Sequence, residues 1–312
     1  MTVSTTTSKT LYELLSDVRL TLSDVLTSSN PSGKWTQDKL IEWIFNGIAT
    51  ISTYVPRVTS VLISCVSGQY SYDLPTDFKA TISVEYPAGQ SFPQYLTQSS
   101  PQSKLFSGAT CYYAITQSLL TNSTALMLSS APTTGETIQL IYTAAHSTNI
   151  YSIIESATRE NPCLITWTNH PLVDNDYVDI RGITYPSWTA LNGKQLVTVK
   201  SANTFTIAID TSGYSLAYSP TKDAGKLYST SSLPTTLYEL LMVYISWCAS
   251  RERLNYTSQD PDSTSLLLSQ YASNADRMWR SFTEIANRMA KHHSVSGPIY
   301  SGWTMDGNDR IY

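Results

Sequence analysis

Four stretches of helical spacing, two at each end of the chain, bracket a middle that carries only strand-like patterns. Leu11, Leu14, Leu15, Val18, Leu22, Val25 and Leu26 recur on one face of a helix predicted over 9–26, with Asp17 and Asp24 opposite. Pro31 and Gly33 break the pattern. Thr36 is a fitting N-cap for a second helix to Val55, which carries Leu40, Ile41, Ile44, Phe45, Ile48 and Ile51, with Trp43 on its flank. The pattern returns at 234–254, through Leu237, Leu240, Leu241, Tyr244, Ile245 and Cys248. A last helix over 262–291 shows a stripe of Leu267, Tyr271, Ala275, Met278, Phe282, Ile285 and Met289. At ~1.5 Å per residue it is on the order of 40 Å long. Neither pair can bury its stripe alone. The expected fold is therefore α+β, a helical bundle from the N- and C-terminal helix pairs that displays the middle.

From Arg57 the period falls to about two. Strands are predicted at 58–65, 69–74, 80–86, 92–96, 111–116, 125–128 and 137–142, forming a small antiparallel β-sheet region. A second series, at 164–168, 176–181, 195–200, 204–209 and 226–228, has no helical pattern and reads as an inserted all-β domain. Its tightest hairpin turns at Ser201-Ala202-Asn203, with Asn203 suited to a left-handed position. The expected domains are a discontinuous core of 1–156 plus 230–291, the insertion 157–229, and an extended C-terminal arm 292–312.

Composition narrows the function classes. Net charge is −4, and only 14% of residues are charged. No Lys/Arg stripe exists to grip a phosphate backbone, so sequence readout of DNA is not expected. The Ser/Thr-rich start does not read as a secretory leader, and no apolar run is long enough for a bilayer, so folding in a cytoplasm is expected. Cys65, Cys111, Cys163 and Cys248 are far apart and read as free thiols.

Chemistry-bearing patterns are sparse. His146, His170, His292 and His293 form no zinc spacing. Ser219-Pro-Thr-Lys222 is a lone S-x-x-K in a loop. Asp174, Asp176 and Asp179 lack a calcium-loop glycine and read as a solvated turn. No cofactor, metal or catalytic residue is expected. Trp167 and Trp188, in the insertion, could stack on a sugar ligand or a partner protein, or fill a small core. Tyr300, Trp303, Ile311 and Tyr312 in the arm would be poorly solvated alone, and so suggest a segment that orders on a partner.

One run carries a resemblance. Gly68-Gln-Tyr-Ser-Tyr72-Asp-Leu-Pro75-Thr-Asp77-Phe78 follows the first helical pair and resembles the G-x-Y-x-Y-x-L-P-x-D-F stretch of head-to-tail adaptor (connector) proteins of tailed bacteriophages. Ile82–Tyr86, Phe92-Pro93, Thr137–Tyr142 and the helices from Leu233 are similar to the same family, so that the likeness covers about 1–150 and 230–291. The insertion, with Asn161-Pro-Cys-Leu-Ile-Thr, Val178–Gly182, Leu191-Asn-Gly193 and Asn203–Ile207, resembles a β module of phage structural proteins. The resemblance implies a non-enzymatic virion protein at the head-tail junction, assembled in the host cytoplasm. It implies a homo-oligomeric ring, usually a dodecamer, that binds the portal protein and tail or nozzle proteins and lets double-stranded DNA pass. The arm, through Tyr300, Trp303, Ile311 and Tyr312, would reach the portal. The readings set against it are a receptor- or glycan-binding virion protein acting through Trp167 and Trp188, and a cell-wall hydrolase.

Overall fold

The computed structural model describes residues 9–24, 26, 33–100, 111–117, 124–148, 151–220, 225–259 and 264–295. The chain is α+β and β-rich, and it divides into two compact units, Met1–Val55 with Ser147–Tyr312, and Pro56–His146.

The first unit holds four helices, α1 (Leu11–Thr21), α2 (Gln37–Tyr54), α3 (Tyr238–Gln259) and α4 (Ser265–Val295). Thr10 starts α1 with a capping box. Its hydroxyl accepts the Glu13 N–H at 3.3 Å, and the Glu13 carboxylate accepts the Thr10 N–H at 2.8 Å. Partial burial pushes the Glu13 carboxyl up. Hydrogen bonds from Thr10 and Lys194, with the Lys194 charge, outweigh it and hold the pKa below the usual carboxylate range. The expected N-cap of α2 is in place, with Thr36 Oγ1 accepting from Lys39 N at 3.4 Å. Apolar residues of all four helices belong to one core. Leu14 and Val18 come from α1, Ile44 and Ile48 from α2, Leu241 and Ile245 from α3, and Phe282 from α4. Trp43, expected on a flank, is buried in that core.

Helix α3 touches the other three helices, so its apolar residues cannot be confined to one stripe. Where α2 crosses it, Gly47 removes the obstacle. A Cβ there would lie 2.5 Å from Leu241 Cδ1 and 2.9 Å from Tyr244 Cδ1. Gly47→Val is therefore expected to lower stability by about 1–3 kcal/mol, although valine is the better helix former. An unshifted urea midpoint would mean that α2 and α3 do not meet here.

The same unit contains a seven-stranded antiparallel sheet, in the order β8-β14-β11-β12-β13-β10-β9. Its strands are β8 (Tyr151–Ile153), β9 (Ser156–Ala157), β10 (Cys163–Thr166), β11 (Tyr177–Arg181), β12 (Gly193–Ser201), β13 (Thr204–Ile207) and β14 (Lys226–Ser229). The first two have no alternation long enough to read from sequence. A short 3₁₀ helix, Pro186–Leu191, also interrupts what the pattern makes all strand and loop. At the hairpin, Asn203 is not the left-handed residue. Its Oδ1 instead accepts at 2.9 Å from the N–H of Asn169, which is left-handed (φ 54°) in the turn after β10. The two ends of this β module meet, since Ser147 N–H donates to Ser232 Oγ at 2.7 Å.

The second unit holds two sheets around one core. One has the order β1-β7-β3, from β1 (Arg57–Ser64), β3 (Phe78–Glu85) and β7 (Thr137–Ala144). The other has the order β2-β6-β5-β4, from β2 (Ser71–Asp73), β4 (Thr97–Gln98), β5 (Tyr112–Gln117) and β6 (Thr124–Leu128). The expected single antiparallel sheet is thus two, and β4 pairs with β5 in parallel. The strand expected at 92–96 does not form; Tyr95 there makes an isolated bridge to Glu85. Strand β7 explains the core directly. Ile138, Leu140, Tyr142 and Ala144 alternate inward, against Val84, Tyr72, Leu126 and Leu128.

Candidate interaction surfaces

The run from Gly68 to Phe78 is a structural clasp. Gly68 takes φ +80°, which turns the chain into β2. Tyr72 is buried, and its hydroxyl donates to Gln69 O at 3.0 Å, closing the turn on itself. Tyr70, just before β2, is exposed. Asp77 accepts from Arg57 Nη2 at 2.7 Å and from the Tyr142 hydroxyl at 3.0 Å, tying the start of β3 to both other strands of its sheet. Phe78 packs beside the Tyr142 ring, with centroids 5.7 Å apart. Tyrosine, aspartate and phenylalanine at this spacing therefore serve the fold of the unit. What the unit leaves outside is weakly charged and partly apolar, with Val58 and Leu62 exposed on β1, Ile82 on β3, and Phe92 85% exposed in the loop beyond.

In the β module, Trp167 and Trp188 lie in the core, not at a surface. Trp188 is fully buried. Its ring takes Tyr214 and Tyr218 edge-on at 5.0 and 5.4 Å, and its Nε1–H donates to Leu216 O at 3.1 Å. Trp167 is 4% exposed. Both residues thus pack within the module's own core, the second of the two roles read from the sequence. The three aspartates also part company. Asp174 accepts from Val199 N at 2.7 Å, Asp176 from Val173 N at 2.9 Å, and Asp179, buried, pairs with Arg181 at 2.7 Å. Among the described residues no three metal-ligating side chains gather. His170 is buried between Trp167 and Phe205. Lys222 of the S-x-x-K lies outside the described residues. All four thiols are free, and burial pushes Cys248 up to about 11, away from thiolate chemistry.

Helix α1 and the module meet through mixed polar and aromatic contacts. The Arg181 guanidinium lies 4.4 Å from the Tyr12 ring centroid, Tyr12 packs on Tyr228 at 5.8 Å, and Lys194 bridges to Glu13 at 3.0 Å. The end of α1 holds a residue that helical spacing misplaces. Asp24, expected on a solvated face, is 3% exposed. Ser23 takes φ 52° and ends the helix, so Asp24 turns inward. It accepts from Arg19 Nη1 at 2.9 Å, from Trp35 N at 3.1 Å, and from Lys34 N. Leu26, expected on the buried stripe, is exposed instead.

Tyr300, Trp303, Ile311 and Tyr312 lie outside the described residues; residues 292–295, expected to open the arm, continue α4. No helix among the described residues is long and apolar enough to cross a membrane. Compared with known proteins, the chain finds no match among curated sequences. A family model described as SU10 adaptor protein matches residues 9–179, from the cap of α1 through both sheets of the second unit to β11. The match extends into the β module, further than the likeness read from motifs, and stops short of α3 and α4. It spans more than half of the chain, takes in the clasp at Gly68–Phe78, and agrees with a phage structural role: this chain belongs to the SU10 adaptor protein family.

Proposed function

We propose that the chain is a structural virion protein that closes into a homo-oligomeric ring, joins the portal of a phage capsid to its tail, and extends the DNA channel. The single observation that carries this is the family match over residues 9–179. In this reading the four helices act as one bundle. Residues 1–156 with 230–291 form the adaptor core, 157–229 add a module at the tail side, and 292–312 reach the portal through Tyr300, Trp303, Ile311 and Tyr312. A closed ring, of twelve copies by likeness to other adaptors, makes many modest interfaces additive. The low charge suits a channel through which DNA slides without sequence readout. Such a chain works by position and has no catalytic step.

Deletion of residues 296–312 tests the arm. The truncated chain is expected to keep its circular dichroism and melting temperature but to co-sediment with portal rings about tenfold less tightly or worse, because buried Trp and Tyr anchors dominate interfaces. Undiminished portal binding would remove the arm from the interface.

A further inference from the structure

The start of α2 and the facing lengths of α3 and α4 enclose a cleft of about 590 Å³. That is the size range of sites that take a compact ligand or the anchor residues of a peptide. Three of its walls are cationic, from Lys34, Lys39 and Arg253. Lys39 has Glu42 at 3.3 Å, but neither Lys34 nor Arg253 has a carboxylate partner among the described residues. The rest of the lining is largely aromatic, from Trp35, Tyr256 and Tyr271.

Two buried donors in this wall also lack acceptors, Trp35 Nε1 and Arg253 Nε. Native proteins rarely leave such groups unmatched, because a buried donor without an acceptor has lost its water and gained nothing in return. Trp35 is not loosely placed. It is 5% exposed, Asp24 holds its N–H, and Trp43 packs edge-on at 5.1 Å. The cleft is thus a donor-rich, aromatic surface in which Lys34, Lys39 and Arg253 outnumber the one carboxylate, Glu252.

We propose that this cleft receives an acidic peptide segment of a partner protein, with a carboxylate set on Arg253 and Lys34 and an adjacent aromatic or aliphatic side chain against Tyr256 and Tyr271. Guanidinium groups favour carboxylates through paired N–H donors, and rings favour an apolar neighbour beside them. Nucleic acid fits less well. Its grip needs a track of cations, whereas these three stand in one spot. The proposal stands whether or not the chain closes into a ring.

The test titrates the full chain with a fluorescently labelled synthetic peptide in which one phenylalanine is flanked by aspartates. Its asparagine counterpart, a short single-stranded oligodeoxynucleotide and an unlabelled peptide of residues 296–312 are run beside it. The acidic peptide is expected to bind about tenfold or more tightly than its asparagine counterpart, and Arg253→Ala to weaken it about tenfold. Lys34→Ala, at an exposed position, is expected to weaken it severalfold, which keeps the test decisive should Arg253→Ala misfold. Equal binding of both peptides, or no binding, overturns the proposal. Tighter binding of the oligodeoxynucleotide, lost in the same variants, reassigns the cleft to nucleic acid. Stronger competition by the 296–312 peptide reassigns it to the chain's own tail.

Discussion

Phe282→Ala is expected to lower the free energy of unfolding by about 3–5 kcal/mol. Phe282 is fully buried near the middle of α4. Its ring meets Tyr54 of α2 edge-on at 5.8 Å, Tyr244 of α3 at 5.6 Å, and Trp279 of its own helix in a stack at 5.3 Å. One side chain thus bridges helices from opposite ends of the sequence. Removing the ring takes away its transfer free energy and leaves a cavity that three rigid aromatic neighbours cannot readily collapse. Phe282→Leu keeps most of the volume, and its loss is expected to stay nearer ~1.5 kcal/mol. Urea unfolding measures both. A loss below about 1 kcal/mol for the alanine variant would show that the N- and C-terminal helices do not depend on a shared core.

Asp24→Ala is expected to cost a similar amount, about 3–5 kcal/mol, for a different reason. The variant strands the Arg19 guanidinium, whose side chain is 11% exposed, and removes the acceptor of the Lys34 and Trp35 N–H groups. A double variant separates these effects. Arg19→Leu with Asp24→Ala removes the stranded charge but leaves two backbone donors unmatched, so only part of the loss is recovered. Full recovery in denaturant titrations would reduce Asp24 to an ion-pair partner and contradict its role as the clasp between α1 and α2. Because Asp24 also fixes Trp35, Asp24→Asn is expected to loosen the cleft wall more than it destabilises the chain.

The spacing of apolar residues located all four helices, because each keeps apolar residues at helical intervals for at least three turns. It overshot α1, because Leu22 and Leu26 continue the spacing past Thr21, where the helix ends. The real start signal, Thr10-Leu-Tyr-Glu13, was a readable capping box beside that stripe. Alternation found the long strands β1, β7 and β12 but could not find β8 or β9, whose two or three residues are too short to alternate. It also could not separate one sheet from two, since pairing partners lie as far apart as Arg57 and Ala144.

Side-chain roles were harder still. A tryptophan in a strand-rich module reads alike whether it faces core or solvent, and only the packing of Tyr214 and Tyr218 around Trp188 decides it. Asp24 looked solvated because its partners return ten and eleven positions later, in a segment with no helical pattern. The cleft beside Trp35 has no motif at all, being assembled from residues 34–39, 252–257 and 271. The Gly68–Phe78 run, by contrast, marked the family because a clasp made of neighbouring residues leaves its spacing in the sequence.

The ring can be observed directly. Electron microscopy of the full chain mixed with purified portal should show closed rings with a central hole, stacked coaxially on the portal. Single copies or open chains that leave the portal bare would contradict the account.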